Sequence, residues 1–148
     1  MKFDQTDVNI LRELQLNSRL SNKALGDLVH LSAPAVAERV RRMEEAGVIK
    51  GYTLDVDPAA MGYPVIASII VMLMSDKKLA FRDYAQTEPE IVTYDEIPGK
   101  ADALLRVYCP TIERFHALVD RIHEYGATDC YIHMRNFKRE LLLPQADK

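Results

Sequence analysis

Between residues 4 and 47 the sequence carries three short runs of helical periodicity, separated by connections of only three or four residues. So tight a spacing leaves few ways to pack and points to a helix-turn-helix. Asp4 or Thr6 can cap a first helix whose apolar residues are Val8, Ile10, Leu11 and Leu14. Ser21 or Asn22 can cap a second, with Ala24, Leu25, Leu28 and Val29 turned inward. Ser32 caps a third, Pro34 sits in its first turn where a missing N–H costs nothing, and Gly47 ends it as a left-handed residue.

The third run sets the chemistry. At 100° per residue, Val36, Val40 and Met43 form one buried stripe, and Ala35, Glu38, Arg39 and Arg42 are expected to face outward. Small Ala33 and Ala35 would let the helix approach a groove closely. Arg39 and Arg42 could then reach guanine edges or phosphates, which arginine grips with two parallel N–H donors. Ser32 and the free N–H groups of the first turn could hold a phosphate. Arg41 is expected to point back along the backbone or into water. The alternative is a solvated helix face laced by Arg/Glu pairs. The segment "GVIKGYTLDV" that follows reads as a β-wing and favours DNA binding.

Charge divides along the same line. The formal net charge is -3. Residues 1–50 hold eight Lys/Arg against seven Asp/Glu, whereas the remainder holds eleven against fifteen. A near-neutral unit that gathers its arginines on one helix limits non-specific, salt-sensitive contact with phosphate. The expected organisation is a winged helix-turn-helix DNA-binding domain over 1–50, a linker strand and hinge over 51–63 punctuated by Asp57-Pro58, Gly62 and Pro64, and a second domain over 64–148.

In that second domain "VIASIIVMLM" at 65–74 is rich in Ile and Val and reads as a buried strand. An amphipathic helix follows with Phe81, Tyr84 and Ala85 inward, then strands "IVTYDEI" and "DALLRVY" about the turn "PGKA". A second helix carries Ile112, Phe115, Val119 and Ile122 on one face and closes at Gly126, and "DCYIHM" is a last strand. The order βαββαβ is the ferredoxin-like split βαβ pattern. The fold class is thus α+β, a helix-turn-helix followed by a ferredoxin-like domain.

Several function classes are disfavoured. The N-terminus shows no secretory pattern, and the apolar run 65–74 is about half of what a spanning helix needs, so the chain is expected in the cytoplasm without a membrane partner. Cys109 and Cys130 match neither a metal knuckle nor a disulfide framework and read as small apolar fillers of strands. His116 and His123 share a helix face but stand about 10 Å apart along its axis, too far to chelate one ion, and His133 has no visible partner. No nucleophile elbow, phosphate-cradling loop or HExxH occurs, so neither catalysis nor a metal is expected.

The ordered pieces F-D-x-x-D-x-x-I-L, N-S-R-L-S, L-S-x-x-x-V-x-x-R-V and E-x-x-G-V-I-x-G-Y resemble the Lrp/AsnC (feast/famine) family of bacterial and archaeal transcription factors. His30, in place of a Gly or Asn in the turn, and Met43, in place of a Leu, depart from its pattern. The resemblance implies that the second domain is a RAM domain, similar to the amino-acid-binding ACT domain, which senses ligand and oligomerises. It implies an effector loop of the form G-x-x-D, matched by Gly99, Lys100, Ala101 and Asp102, with Thr128 and Asp129 in the region lining the pocket. A glycine turn can offer backbone N–H groups to a carboxylate, and an aspartate can take an α-ammonium. The bare alternative is a Pro98-Gly99 hairpin turn with Asp102 satisfying its own backbone. "YGATDC" lacks the family's Thr-rich segment, and Lys100 and Ala101 replace an acidic or aromatic residue. The implied partners are double-stranded DNA, a homodimer assembling to an octamer, with the tail "ELLLP" at 140–144 as one pairing surface, and an amino-acid effector, with no other cofactor. Two contrasting functions are a siroheme-decarboxylase-like enzyme and an amino-acid-binding module without DNA activity.

Overall fold

The computed structural model describes residues 3–134 and Leu143. The tail at 140–144 lies, Leu143 apart, outside the described residues. Contacts divide the chain into two compact units that part between Asp55 and Val56.

The first unit holds α1 (Gln5–Leu16), α2 (Asn22–Val29) and α3 (Ala33–Glu45). Each is opened by a side chain from the sequence: Asp4, Ser21 and Ser32 accept the N–H groups of Asp7, Ala24 and Ala35. Such caps satisfy donors that have no partner inside the helix. Ile10, Leu25, Val36 and Met43 form the core, ringed by Leu11, Leu14, Leu20, Val29, Leu31, Val40 and Ile49. Leu28 does not join it and is 52% exposed. The buried face of α2 is turned instead toward Gly26, where a Cβ would lie 2.5 Å from the Leu31 carbonyl oxygen. That close approach is the turn of the helix-turn-helix, and it leaves Leu28 about 100° from the buried direction. His30 takes the left-handed conformation that ends α2 (φ 58°), and Gly47 does the same beyond α3 (φ 70°).

Residues 47–56, expected to form a β-wing, contain no strand. A wing needs a returning strand, and the chain runs instead into the turn at Pro58–Gly62. Tyr52, Leu54 and Val56 are left exposed, with the Tyr52 hydroxyl donating to Glu44.

The second unit is β1 (Val65–Leu73), α4 (Lys78–Thr87), β2 (Ile91–Glu96), β3 (Ala103–Cys109), α5 (Ile112–His123) and β4 (Gly126–Ile132). Its antiparallel sheet has the order β2-β3-β1-β4, in which β3 enters between β1 and β2 as the split βαβ pattern requires. Alternation along the strands places Ala67, Ile69, Val71, Ala103, Leu105, Val107 and Cys109 in one core with Phe81, Phe115, Leu118 and Ile122 of the helices. Phe81 and Tyr125 lie 5.3 Å apart, and Tyr84 stacks on Tyr125 at the same distance.

Three expectations change here. Ile112 is exposed, and Leu118 takes its place on the buried face of α5, because Phe115, Leu118 and Ile122 are spaced three and four apart. Gly126 does not end that helix but opens β4, where a Cβ would lie 2.1 Å from the Met72 carbonyl oxygen. Cys130 is exposed, while Cys109 is buried. Burial pushes the Cys109 thiol up to about 11, which keeps it protonated. Among the described residues no helix is long and apolar enough to cross a membrane.

Candidate nucleic-acid interface and ligand loop

Helix α3 is built to show one face. Val36 and Met43 are fully buried, so the opposite face carries Pro34, Glu38, Arg41, Arg42 and Glu45, all exposed. Ser32 stands exposed at its N-terminus with its hydroxyl oxygen on the Ala35 N–H, and Ala35 is half-buried. On the exposed face Arg41 grips Glu38 through two nitrogens, at 3.1 and 2.7 Å, and also pairs with Glu45. Arg41 is therefore neither turned back nor solvated alone. It neutralises a carboxylate on each side of itself and pulls the Glu38 carboxyl below its ordinary range.

Arg39 was expected on the outward face with Arg42, and the structure places it elsewhere. It flanks the buried stripe, its side chain only 25% exposed, and its Nη1 donates to Asp7 at 2.7 Å and Asp4 at 2.8 Å. The reason lies in α1. Asp7 is 1% exposed, and a carboxylate so deep must be paired. Asp4 and Asp7 also cap one another, the Asp7 N–H donating to Asp4 at 2.8 Å and the Asp4 N–H to Asp7 at 3.2 Å. One guanidinium thereby fastens the start of α1 to the middle of α3. The Asp7 N–H and then Arg39 hold the Asp4 carboxyl below its ordinary 3.8. Asp7 was legible as the closing residue, at N3, of a capping box D-x-x-D, although it was not singled out. Arg42 is 46% exposed and its nearest carboxylate oxygen, on Asp7, is 3.7 Å away, so it can leave at small cost.

In the second unit, residues 97–102 join β2 to β3. The Asp102 N–H donates to the Val71 carbonyl at 2.9 Å, and its own carbonyl accepts from Ile97 at 3.1 Å. The Asp102 carboxylate accepts the Leu73 N–H at 2.8 Å through Oδ2 and the Lys78 ammonium at 2.6 Å through Oδ1. Lys78 first, and then the Leu73 N–H, hold the carboxyl below its ordinary range. Gly99 turns the loop with φ 154°, and Lys100 is exposed beside half-buried Ala101. Lys78 was invisible in the sequence as a partner, since it is separated by 24 residues.

Thr128 and Asp129 are not brought together. Successive strand residues point to opposite faces. Thr128 is in register with Val71 on the helix side and shares a 2.6 Å hydrogen bond with His123, while Asp129 is in register with Ile70 on the other side. Strand β1 stands between Thr128 and the loop that ends at Asp102, roughly 10 Å at two strand spacings. His133 shares a hydrogen bond with Ser68 at 2.9 Å, and His116 is exposed beside Phe115.

Comparison with known proteins gives these features a family. A model of the winged helix-turn-helix DNA-binding domain matches residues 3–50, and one of the Lrp/AsnC ligand binding domain matches residues 67–143. The chain is 36% identical over 132 residues to the HTH-type transcriptional regulator LrpC of Bacillus subtilis (strain 168), a match spanning 89% of this chain and 92% of that protein. The solved structure of B. subtilis LrpC is similar with a TM-score of 0.88 at 34% identity, covering 95% of this chain and 100% of that one. A transcriptional regulator of Neisseria meningitidis, NMB0573, solved as a complex with L-Met, is similar with a TM-score of 0.86 at 26% identity and 97% coverage of both chains. With one model on each unit and relatives aligned along most of its length, the chain belongs to the Lrp/AsnC family of transcriptional regulators.

Proposed function

We propose that this regulator reads double-stranded DNA with α3, as a cytoplasmic homodimer that assembles further toward an octamer, and acts by binding rather than by catalysis. The observation that carries the reading is the division of labour on α3. Arg39 is taken up by Asp4 and Asp7 and positions the helix, while Arg42, in the last turn, is half-exposed and loosely paired, and the capped N-terminus at Ser32 is exposed at the other end. Ser32, Ala35, Glu38 and Arg42 are the residues that meet the groove, and Arg41 keeps Glu38 from repelling phosphate. Two such helices, related by a two-fold axis, read half-sites one helical turn apart. Ile66, Ile70, Met72 and Leu104 lie on the sheet face away from α4 and α5, with exposed Tyr131 beside them, and offer that dimer an apolar surface.

The ligand is an amino acid held at the loop of Gly99, Lys100, Ala101 and Asp102, a reading supported by the match to a ligand binding domain and by the relative solved with L-Met. Thr128 contributes from the helix side of β4, and Asp129, on the opposite face, acts at the subunit contact.

Arg42→Ala tests the DNA reading, by fluorescence anisotropy on DNA from upstream of the chain's own gene across a salt series. If Arg42 meets phosphate, affinity falls on all sequences and the salt slope drops by about one. If it reads a base, the loss is about 1–3 kcal/mol and preference relaxes at one position. Unchanged affinity and slope would refute its place in the interface.

A further inference from the structure

The Asp102 carboxylate is oriented twice over by its own backbone frame. Its N–H and carbonyl are fixed by Val71 and Ile97, and Oδ2 is fixed by the Leu73 N–H. Oδ1 is thus aimed the same way whether or not a cation is there, and it meets the Lys78 ammonium at 2.6 Å. Lys78 is badly placed by any other measure. It occupies the first turn of α4, a helix with no side-chain cap and no acidic residue in that turn, where the positive end of the peptide dipoles disfavours a cation. Among the described residues its one ion pair is with Asp102. A lysine ammonium and the α-ammonium of an amino acid are the same group, three N–H donors on a tetrahedral carbon.

We propose that Lys78 is a tethered competitor for the ligand's ammonium at Asp102. The inference rests on reading the 99–102 loop as the effector site. In the ligand-free chain the loop is satisfied by Lys78, and an α-amino acid enters by displacing it. Lys78 is 53% exposed and Asp102 28%, and ion pairs so exposed to water are weak, so the displacement raises the ligand concentration needed without closing the site. The device also selects. A ligand without an ammonium cannot replace Lys78, so a 2-hydroxy acid of the same side chain gains nothing from removal of the lysine.

Calorimetric titration of the full-length protein with the twenty common L-amino acids, one at a time, tests this on four proteins: wild type, Lys78→Met, Lys78→Arg and Asp102→Asn. Lys78→Met is expected to bind the recognised amino acid about twofold to fivefold more tightly. Lys78→Arg, which keeps the cation, stays within twofold of wild type, Asp102→Asn loses binding, and the matching 2-hydroxy acid does not respond to Lys78→Met. Circular dichroism melts confirm that each variant is folded, and Lys78→Met needs no intact Asp102 variant to be interpreted. Binding by wild type that Lys78→Met leaves equal or weakens would overturn the competitor alone, since Lys78 would then be idle or grip the ligand's carboxylate. Binding by neither wild type nor Lys78→Met, or full binding by folded Asp102→Asn, would overturn the effector reading of the loop and the competitor with it.

Discussion

Asp7 is a buried carboxylate in a small helical unit, and it sets what Arg39 can do. Removing Arg39 leaves that charge without its close partner. Arg39→Met is therefore expected to lower the stability of the first unit by about 2–3 kcal/mol, at or just below the roughly 3–5 kcal/mol for a broken fully buried pair because Arg39 is partly exposed. Urea unfolding followed by circular dichroism measures this. Asp7→Asn combined with Arg39→Met should recover part of the loss, because no charge is then stranded. Once folded, Arg39→Met should keep the wild-type preference among DNA sites, and a changed preference would return Arg39 to the groove. Asp4 makes the cap sensitive to acid. Its carboxyl is held below 3.8 in the fold, so its contribution is complete above that value and lost as pH falls through the lowered one. Asp4→Asn should flatten that part of the acid-unfolding profile.

At the scale of elements, what the sequence shows plainly is whatever rests on local periodicity and capping. All three caps of the first unit, the left-handed Gly47 and the order βαββαβ follow from neighbours a few residues apart. Misreadings arise where a tertiary contact decides. Leu28 fits the helical stripe of α2, yet the close packing of Gly26 on Leu31 rotates that helix away from it. Arg39 sits on the flank of α3, and only the position of Asp7, 32 residues earlier, says which way it turns. Lys78 and Asp102 meet across a similar gap, so the occupant of the candidate ligand loop had no local signature. The wing was read from the segment "GVIKGYTLDV" after the third helix, in which Tyr52, Leu54 and Val56 alternate but are left exposed, and alternation describes a strand without supplying its partner. Gly126 shows the same limit, since a glycine after a helix resembles a stop signal. In the structure it opens β4 in register with Leu73, where the β1 backbone at Met72 leaves no room for a Cβ. Gly126→Ala should destabilise the second unit by about 3 kcal/mol, because the obstacle is backbone and cannot turn aside. Thermal unfolding of the variant checks this, and a neutral result would mean that β4 can slide.

At the scale of the whole molecule, a near-neutral helical unit and an acidic ligand binding unit share one chain, and the proposed assembly is what would couple them. A single α3 contacts too little DNA to be specific, and in the proposed dimer the second copy would supply the other half-site. Ile70 lies mid-strand on the sheet face away from the helices, between Leu104 and Asp129. Ile70→Lys is expected to shift the protein toward monomer in sedimentation velocity and to weaken DNA binding in proportion. A monomer that still binds its site at wild-type affinity would separate reading from assembly. The most direct measurement of the central claim is a footprint of the purified protein on the DNA upstream of its own gene at near-physiological salt, wild type beside Arg42→Ala. The account predicts protection repeating about every helical turn, in pairs of half-sites, weakened by Arg42→Ala. No protection there or on pooled genomic fragments, or protection indifferent to Arg42, would contradict it.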